Sequence, residues 1–357
     1  MNRKKLADKI ASAIFGIVFA LAVLEIIFYF NPELLPPNVR FSAATNFDTE
    51  MRQFFKPDVN IKMELPDGDV FSIKTIKIED DIGFRDDGIN HDQIYAAAIG
   101  DSFVYGHGLE MEDTWVELLE KEVDRDVINA GMPNAYPETE LIIFRKYVKA
   151  FNPKIVILGI SQNDFVDAYV FNYLEKNFGY TYLKRKLDST SSVYRLFRFA
   201  VTSKWFGEYK SYPHFTAGNI TYIIDPFLAG PAVDGNNKEI LNGKKRNMDS
   251  ILELKKSAEE SGSEFLLVIF PTKEQVFWDK VKQVTNGTYN IDFLSDELSK
   301  FAEENDIKYI DMTEKFREIS KTEPDLFFHI DGHMNQKGNI IVKDLIYNYL
   351  DEKNLLK

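Results

Sequence analysis

From residue 94 onward, the sequence repeats one pattern, in which a short apolar run is followed by an amphipathic segment. The run IYAAAIG (94–100) is followed by DTWVELLEKEV (113–123), where apolar side chains recur at helical spacing. Short runs that are apolar throughout are typical of strands buried on both faces. The alternation occurs five times and predicts an α/β protein, with a parallel sheet that carries helices on both faces.

Helix signals mark the boundaries of these elements. Asp113 is the expected N-cap of the first helix, and Asn152-Pro153 ends the second. The predicted strands are 94–100, 126–131, 154–160, 264–270 and 308–311, and the predicted helices are 113–123, 138–151, about 291–305 and about 335–350.

An aromatic-rich insertion at about residues 165–247 interrupts this rhythm. Its first part predicts helices, so one interpretation is a helical insertion with a small core of its own. A second interpretation is a lid over the active site that also sets substrate choice. Part of its apolar surface could instead contact a membrane.

The N-terminus carries a long apolar segment. Residues 1–9 contain four basic side chains and one acid, and the next 21 residues (10–30) are almost entirely apolar. As a helix they would be about 31 Å long, enough to span a bilayer. The basic residues favour a cytoplasmic N-terminus, with everything after residue 30 outside the cytoplasm. A cleaved signal peptide is the alternative, although its apolar core usually has only about 7–15 residues.

Glu25 lies inside this span, five residues before Phe30. A position near the outer interface would make an acid tolerable there. The alternative is a helix-packing partner, because acids within membranes are often functional.

Residues 31–92 form a predicted linker and a β-rich appendage. The linker NPELLPPN is proline-rich and stiff. A hairpin with strands at 60–65 and 70–78 is expected around a Pro-Asp-Gly turn. The predicted organisation is therefore an anchor with a cytoplasmic tip (1–30), this appendage (31–92) and an α/β domain (93–357).

Composition excludes several classes of function. The net charge of −13 and the pI of about 5.0 make nucleic acid an unlikely partner. The chain has no cysteine, which excludes disulfides, thiolate catalysis and cysteine metal sites.

Polar residues follow the predicted strands, and the carboxyl ends of parallel strands are where ligands bind. The first strand ends in Gly100-Asp101-Ser102 and the third in Ser161-Gln162-Asn163-Asp164, whereas Asp331 and His333 precede the last helix. These residue types suit acyl transfer. A serine needs a base, a histidine can be that base, and an aspartate can orient the histidine.

The chain resembles the SGNH hydrolases, also called GDSL esterases and lipases. IGDSF matches the nucleophile block, GISQND the block with the oxyanion asparagine, and DGHMNQKGN the block with aspartate and histidine. The resemblance implies a flavodoxin-like three-layer α/β/α sandwich around a five-stranded parallel sheet. It also implies Ser102 as nucleophile, His333 as base, Asp331 as its partner and Asn163 in the oxyanion hole, together with the Ser102 N–H.

Two features depart from the family pattern. The block after the second strand usually supplies a glycine N–H to the oxyanion hole, but Asn134 stands at the matching position, with Gly131 as the alternative. Asn tolerates a left-handed backbone better than most residues. The Asp331-x-His333 spacing is shorter than usual and resembles membrane-anchored SGNH proteins and some glycan O-acetyltransferases.

Further residues near these motifs have simpler explanations. His107 could line the mouth of the site, but a loop residue is the default expectation. His329 could form a metal cluster with Asp331 and His333, but further ligands are lacking, so neither a metal nor another cofactor is expected. Lys273 and Gln275 could contact substrate, although a solvated loop is the default expectation.

The sequence therefore predicts an esterase or O-acyltransferase in the cell membrane, single-pass, with its catalytic domain outside. Its expected substrate is an acyl ester, acetyl in particular, of a cell-surface glycan. A lipid ester hydrolase is the first alternative. The second is a non-catalytic binding or assembly module that partners an integral membrane acyltransferase.

Overall fold

A computed structural model of the protein describes residues 3–47, 50–51, 53–89, 94–165, 178–202, 212–226, 228–230, 236–285 and 288–356. The predicted boundary between residues 92 and 93 lies outside the described residues, as do parts of the predicted insertion. The strands are β1 (Thr45–Phe47), β2 (Gln53–Phe55), β3 (Asn60–Glu64), β4 (Val70–Lys74), β5 (Ile76–Lys77), β6 (Gly83–Phe84), β7 (Ala96–Gly100), β8 (Val127–Asn129), β9 (Ile155–Ser161), β10 (His214–Ala217), β11 (Ile220–Ile223), β12 (Glu264–Phe270) and β13 (Lys308–Asp311).

The helices lie between and around these strands. They are α1 (Arg3–Phe30), α2 (Pro37–Ala44), α3 (Ser102–Tyr105), α4 (Trp115–Val123), α5 (Pro137–Ile143), α6 (Phe178–Thr190), α7 (Ser192–Thr202), α8 (Lys238–Glu260), α9 (Lys273–Val276), α10 (Trp278–Thr285), α11 (Phe293–Glu304), α12 (Thr313–Ser320) and α13 (Gln336–Glu352). In α1, the stretch Asp8–Phe30 contains an 18-residue window that has a mean hydropathy of 2.6 and is not buried in the protein. That stretch is long and apolar enough to cross a membrane.

The central sheet has five parallel strands in the order β13-β12-β9-β7-β8, which confirms the predicted fold class. Successive residues of a strand face opposite sides. Thus Ala97 and Ile99 belong to one buried apolar cluster, whereas Ala96 and Ala98 belong to another on the opposite face. The apolar runs of the sequence are therefore explained by burial on both faces of the sheet.

The predicted hairpin of the appendage is also present. β3 and β4 pair antiparallel from Asn60↔Lys74 to Glu64↔Val70, around a turn in which Gly68 has φ 92°. Its second strand is shorter than predicted. Beyond Thr75 the chain begins a separate pairing, of β5 with β6.

Three local predictions were wrong or incomplete. Thr114, and not Asp113, is the N-cap of α4, since its hydroxyl accepts the Glu117 N–H at 3.4 Å. The predicted helix 138–151 is α-helical only to Ile143 and continues as a π-turn and a 3₁₀ turn. The insertion is helical in α6 and α7 but then forms the hairpin β10–β11, where buried Phe215 and Ala217 alternate with exposed neighbours.

Candidate active site

Ser102 lies where β7 ends and the short helix α3 begins. The Asp101 carboxylate caps this helix, because its Oδ1 accepts the Phe103 N–H at 2.8 Å. Gly100 allows the tight approach of the turn to the sheet, since a Cβ there would lie 2.7 Å from the Gly159 carbonyl oxygen. The local sequence therefore places the Ser102 hydroxyl at the carboxyl edge of the sheet.

The three residues assigned to a triad form one hydrogen-bonded chain. His333 Nε2 lies 2.6 Å from Ser102 Oγ, and His333 Nδ1 lies 2.5 Å from Asp331 Oδ1. The same Asp331 oxygen accepts the backbone N–H of His333 at 2.9 Å. The side chains of Asp331 and His333 are only 17% and 23% exposed, so water screens their interaction weakly.

The surroundings shift the protonation of this pair. Burial alone would lower the pKa of His333, but the charge and hydrogen bond of Asp331 raise it above its ordinary value. Burial alone would raise the pKa of the Asp331 carboxyl, but His333 holds it well below its usual range. The arrangement therefore favours an ionised Asp331 next to a histidine of increased basicity.

The loop that carries Asp331 is held from two sides. The Asp67 carboxylate, at the turn of the β3–β4 hairpin, accepts the N–H groups of Ile330 at 2.7 Å and Asp331 at 3.0 Å. Lys273 Nζ donates to the carbonyls of His329, Ile330 and Asp331 at 3.1–3.4 Å. Lys273 is only 1% exposed, so the expectation of a solvated loop was wrong; Gln275 is equally buried.

Arg85 supports the opposite end of α3. Its buried guanidinium donates to the carbonyls of Tyr105 at 3.0 Å and Gly106 at 2.7 Å, where the helix ends. It also donates to the Ser72 carbonyl at 3.0 Å. Neither Arg85 nor Asp67 was identified from the sequence. For Asp67, the only signal was the Pro-Asp-Gly turn.

Asn163 links the ends of β9 and β7. Its Oδ1 accepts the Ser161 hydroxyl at 2.5 Å, and its Nδ2 donates to Asp101 Oδ2 at 2.8 Å. These two contacts determine which end of the amide is the nitrogen. Asn163 lines the same cavity as Ser102, as expected for a donor to a reacting oxygen.

Gly131 and Asn134 occupy different environments. The Gly131 N–H donates to Asn129 Oδ1 at 3.1 Å, and a Cβ at Gly131 would lie 2.3 Å from the Tyr105 backbone nitrogen. Close packing against α3 therefore explains the glycine. Asn134 has a left-handed backbone with φ 61° and lines the cavity beside Ser102. This placement favours Asn134 over Gly131 as the oxyanion donor.

The cavity above Ser102 has a volume of about 370 Å³. One wall comes from the region of the insertion, with the apolar side chains Ile223, Ile224 and Leu228. A polar side is formed by Asp225, Lys273 and Glu274, and Pro66 of the appendage completes the lining. Three separate parts of the chain thus enclose the serine.

His107 has a closer relation to the site than the sequence indicated. Its ring centroid lies 4.7 Å from that of His333, and its Nε2 lies 3.9 Å from Asp331 Oδ2. Burial lowers the pKa of His107 to about 4, and His333 adds to the shift, so the ring is neutral at pH 7. His329 was the histidine considered for a cluster with Asp331 and His333, but its ring packs edge-on against Tyr222.

Two groups in the described part of the chain have ligand atoms close enough for a metal ion. In His107, Asp331 and His333, both ring nitrogens of His333 already contact Ser102 and Asp331. The second group is acidic and lies outside the cavity. It consists of Asp87, Glu117 and Glu120, and burial raises the pKa of Glu117 to about 8 and that of Glu120 to about 7.

Several solved structures are similar to this chain. They include an acetyl xylan esterase, AlAXEase, at 15% identity, covering 71% of this chain and 98% of that one with a TM-score of 0.41. A GDSL-like lipase from Bacteroides thetaiotaomicron is 12% identical, covering 74% and 91% with a TM-score of 0.40. An acetylxylan esterase from Geobacillus stearothermophilus is 13% identical, covering 72% and 94% with a TM-score of 0.41.

Among curated proteins, none matches the chain significantly. The sequence model of the GDSL-like lipase/acylhydrolase family matches residues 98–340, which is more than half of the chain. The matched region begins within β7 and extends into α13, so it contains Ser102, Asn163, Asp331 and His333. The chain therefore belongs to the GDSL-like lipase/acylhydrolase family and is a serine ester hydrolase of the SGNH type.

Proposed function

We propose that the protein is a membrane-anchored, extracytoplasmic serine esterase or O-acyltransferase acting on acyl esters, acetyl esters above all, of a cell-surface glycan. The observation that carries the catalytic part is the hydrogen-bonded chain from Ser102 through His333 to Asp331. The anchor is proposed from the apolar stretch of α1. Basic residues before that stretch support an N-terminus in the cytoplasm.

In the proposed first step, Ser102 Oγ attacks the acyl carbonyl carbon while its proton passes to His333 Nε2. Asp331 holds the imidazole and stabilises its positive charge. The negative charge on the carbonyl oxygen is stabilised by the Ser102 N–H, the Asn134 N–H and the Asn163 amide. When the ester bond breaks, the leaving alkoxide takes the proton from His333, and an acyl-enzyme remains on Ser102.

The second step repeats the same transfers with a new nucleophile. Water, or a sugar hydroxyl, gives its proton to His333 and attacks the acyl-enzyme, after which the proton returns to Ser102 Oγ. Hydrolysis and transfer thus use the same residues and differ only in the acceptor. Incubation with an acetylated oligosaccharide and an isotopically labelled sugar acceptor distinguishes them by whether the label appears in an acetylated product.

The polar side of the cavity supports a substrate rich in hydroxyl groups. Glu274 Oε1 accepts the Asp225 N–H at 3.0 Å, whereas its Oε2 is buried with no hydrogen-bond partner among the described residues. A buried acceptor without a partner is unfavourable, and a sugar hydroxyl would satisfy it. Glu274 is one of the residues that line the cavity above Ser102.

A lipid ester is the second candidate substrate. The observation that favours it is the apolar wall formed by Ile223, Ile224 and Leu228. Turnover of p-nitrophenyl esters of increasing chain length separates the two. Preference for the acetyl ester supports a glycan acetyl group, and preference for long chains supports a lipid.

The test of catalysis is the substitution Ser102→Ala. We expect it to reduce ester turnover at least about 10³-fold and to abolish labelling by a fluorophosphonate, because the nucleophile is lost. Ser320→Ala is the matched control, since Ser320 lies in α12 and is bonded only locally to the Arg317 carbonyl. If the native protein is never labelled, the alternative of a non-catalytic module partnering a membrane acyltransferase replaces this proposal.

A further inference from the structure

Glu25 is the acidic side chain among residues 10–30 of α1. Its Oε2 accepts the backbone N–H of Val193 at 3.0 Å, and its Oε1 is buried without a hydrogen-bond partner among the described residues. Val193 is the second residue of α7, so this N–H is one of those that a helix start leaves unpaired. The carboxylate of the anchor helix therefore caps a helix of the insertion.

Arg195 extends this contact into the turn between α6 and α7. Its guanidinium donates to the Asp188 carbonyl at 2.7 Å and to the Ser192 hydroxyl at 2.6 Å. Burial lowers the pKa of Arg195, and the charges of Glu25 and Asp188 oppose that shift. An acid from α1 and a base from α7 thus face each other where the two helices meet.

Helices α6 and α7 expose an unusual amount of apolar surface. Leu183 and Leu187 of α6 are 59% and 36% exposed, and Phe197 and Val201 of α7 are 68% and 61% exposed. Within each helix the two residues are four apart and so lie on one face. Outside α1, the described residues include nine exposed large apolar side chains, and these two helices hold four of them.

We propose that α6 and α7 lie in the outer interface of the membrane that α1 spans, with these four side chains among the lipid acyl chains. The proposal rests on the proposed membrane anchor and is independent of the ester chemistry. Its partner is the lipid bilayer, because α7 packs against α1 at the Glu25 contact and both helices expose apolar side chains. A helix with one strongly apolar face binds membranes in this way.

The depth of the contact agrees with this arrangement. Glu25 lies five residues before Phe30, which is about 8 Å along a helix from its outer end. Interfacial helices bury their apolar faces about 5–10 Å into the boundary between headgroups and acyl chains. Helix α1 is then a fixed part of the extracytoplasmic domain, and the cavity above Ser102 is held at a constant distance from the lipid.

The absence of cysteine makes a direct test possible. The full chain carrying Phe197→Cys is labelled with an environment-sensitive nitrobenzoxadiazole dye and reconstituted in phosphatidylcholine vesicles. We expect blue-shifted emission, quenching by nitroxide-labelled lipid, and quenching by aqueous iodide several-fold weaker than for the control. The control is Val284→Cys, because Val284 is also apolar and 46% exposed but lies in α10 of the α/β domain.

Two further variants sharpen the test. Val201 lies on the same face of α7 as Phe197, so Val201→Cys should show the same emission shift and the same quenching as Phe197→Cys. In the Phe197→Cys background, Glu25→Ala should increase iodide quenching because the α7 cap is lost, whereas Glu25→Gln, which keeps an acceptor oxygen, should not.

Equal iodide quenching at residues 197 and 284, in protein that floats with the vesicles, overturns the proposal while leaving the anchor intact. Protein that does not float with the vesicles overturns the anchor and this proposal together. Neither result bears on the proposed ester chemistry, which is tested separately by ester turnover.

Discussion

In the proposed mechanism, the protonation of His333 determines when Ser102 can act. His333 must be neutral at Nε2 to accept the serine proton, and its pKa lies above the ordinary 6.5 because the effect of Asp331 exceeds that of burial. As the pH falls through this raised pKa, the histidine becomes protonated and the reaction stops. We therefore expect the acid limb of kcat/KM to lie above pH 6.5.

The substitution Asp331→Asn tests the origin of that shift. Without the carboxylate, burial dominates, so the acid limb should move to lower pH while kcat falls, typically by about 10⁴-fold in such triads. Steady-state turnover of p-nitrophenyl acetate between pH 5 and 9 measures both effects. Asp325→Asn is the control, because Asp325 bonds Asn335 and Lys337 and not His333. An acid limb that stays in place in Asp331→Asn would contradict this origin of the shift.

The residues of the site differ in how visible they are in the sequence. Ser102, Asn163 and His333 could be identified because each follows a strand or precedes a helix within a recognisable local motif. The contacts of Asp67 and Lys273 could not be predicted, because their partners are determined only by tertiary packing. The bond from Asp67 to Ile330 joins residues 263 positions apart. Roles of this kind have no local pattern to reveal them.

At the scale of elements, burial explains which predictions succeeded. The strands of the central sheet were located to within two residues at each end because β7, β9 and β12 are continuous apolar runs. The π-turn after Ile143 has no comparable signal. Hairpin β10–β11 did have one, since polar and apolar residues alternate in β10, where Phe215 and Ala217 are buried. The helical interpretation came from the first part of the insertion and was extended over this hairpin.

The β3–β4 hairpin has a direct connection to the proposed chemistry. Its turn residue Asp67 binds two N–H groups of the loop that carries Asp331. We expect Asp67→Ala to lower kcat by up to about 10²-fold, with a smaller change in KM, because a displaced Asp331 holds His333 less well. Steady-state kinetics with p-nitrophenyl acetate measures the two constants separately.

Two controls show whether such a loss comes from the loop. Asp69→Ala removes a neighbouring carboxylate of the same turn, and the bond from the Leu65 N–H to the Asp69 carbonyl does not depend on that side chain. Asp67→Asn keeps one oxygen acceptor and should retain more activity than Asp67→Ala. If all three variants had the kcat of the native protein, the hairpin would not position the loop.

At the scale of the whole molecule, the appendage and the α/β domain share one core. Phe71 and Ile73 of β4 belong to the same buried cluster as Ala97 and Ile99 of β7. The cavity likewise takes its lining from the appendage, the sheet edge and the insertion region. The predicted division at residue 92 thus separates segments that pack, and we expect them to fold, as one unit.

The stability of this unit should depend on a buried acid behind the nucleophile. Glu140 of α5 is fully buried, and neither carboxylate oxygen has a hydrogen-bond partner among the described residues. Burial, and then the charge of Asp101, raise its pKa well above the ordinary value. In the unfolded chain the pKa of a glutamate is about 4.3. The folded state therefore holds a proton that the unfolded state releases, and stability falls as the pH rises from about 4.3 towards the raised pKa.

The substitution Glu140→Gln removes this dependence, because an amide does not titrate. Each unit by which the folded pKa exceeds the unfolded one lowers the free energy of unfolding of the native protein by about 1.4 kcal/mol at high pH. We expect the fall in melting temperature between pH 5 and pH 8 to be smaller in Glu140→Gln than in the native protein. Glu138→Gln is the matched control, since Glu138 lies in the same helix in a partly exposed ion pair with Arg246. An equal fall in Glu140→Gln and the native protein would show that Glu140 does not hold the proton, and the buried charge would then need a partner that compensates it.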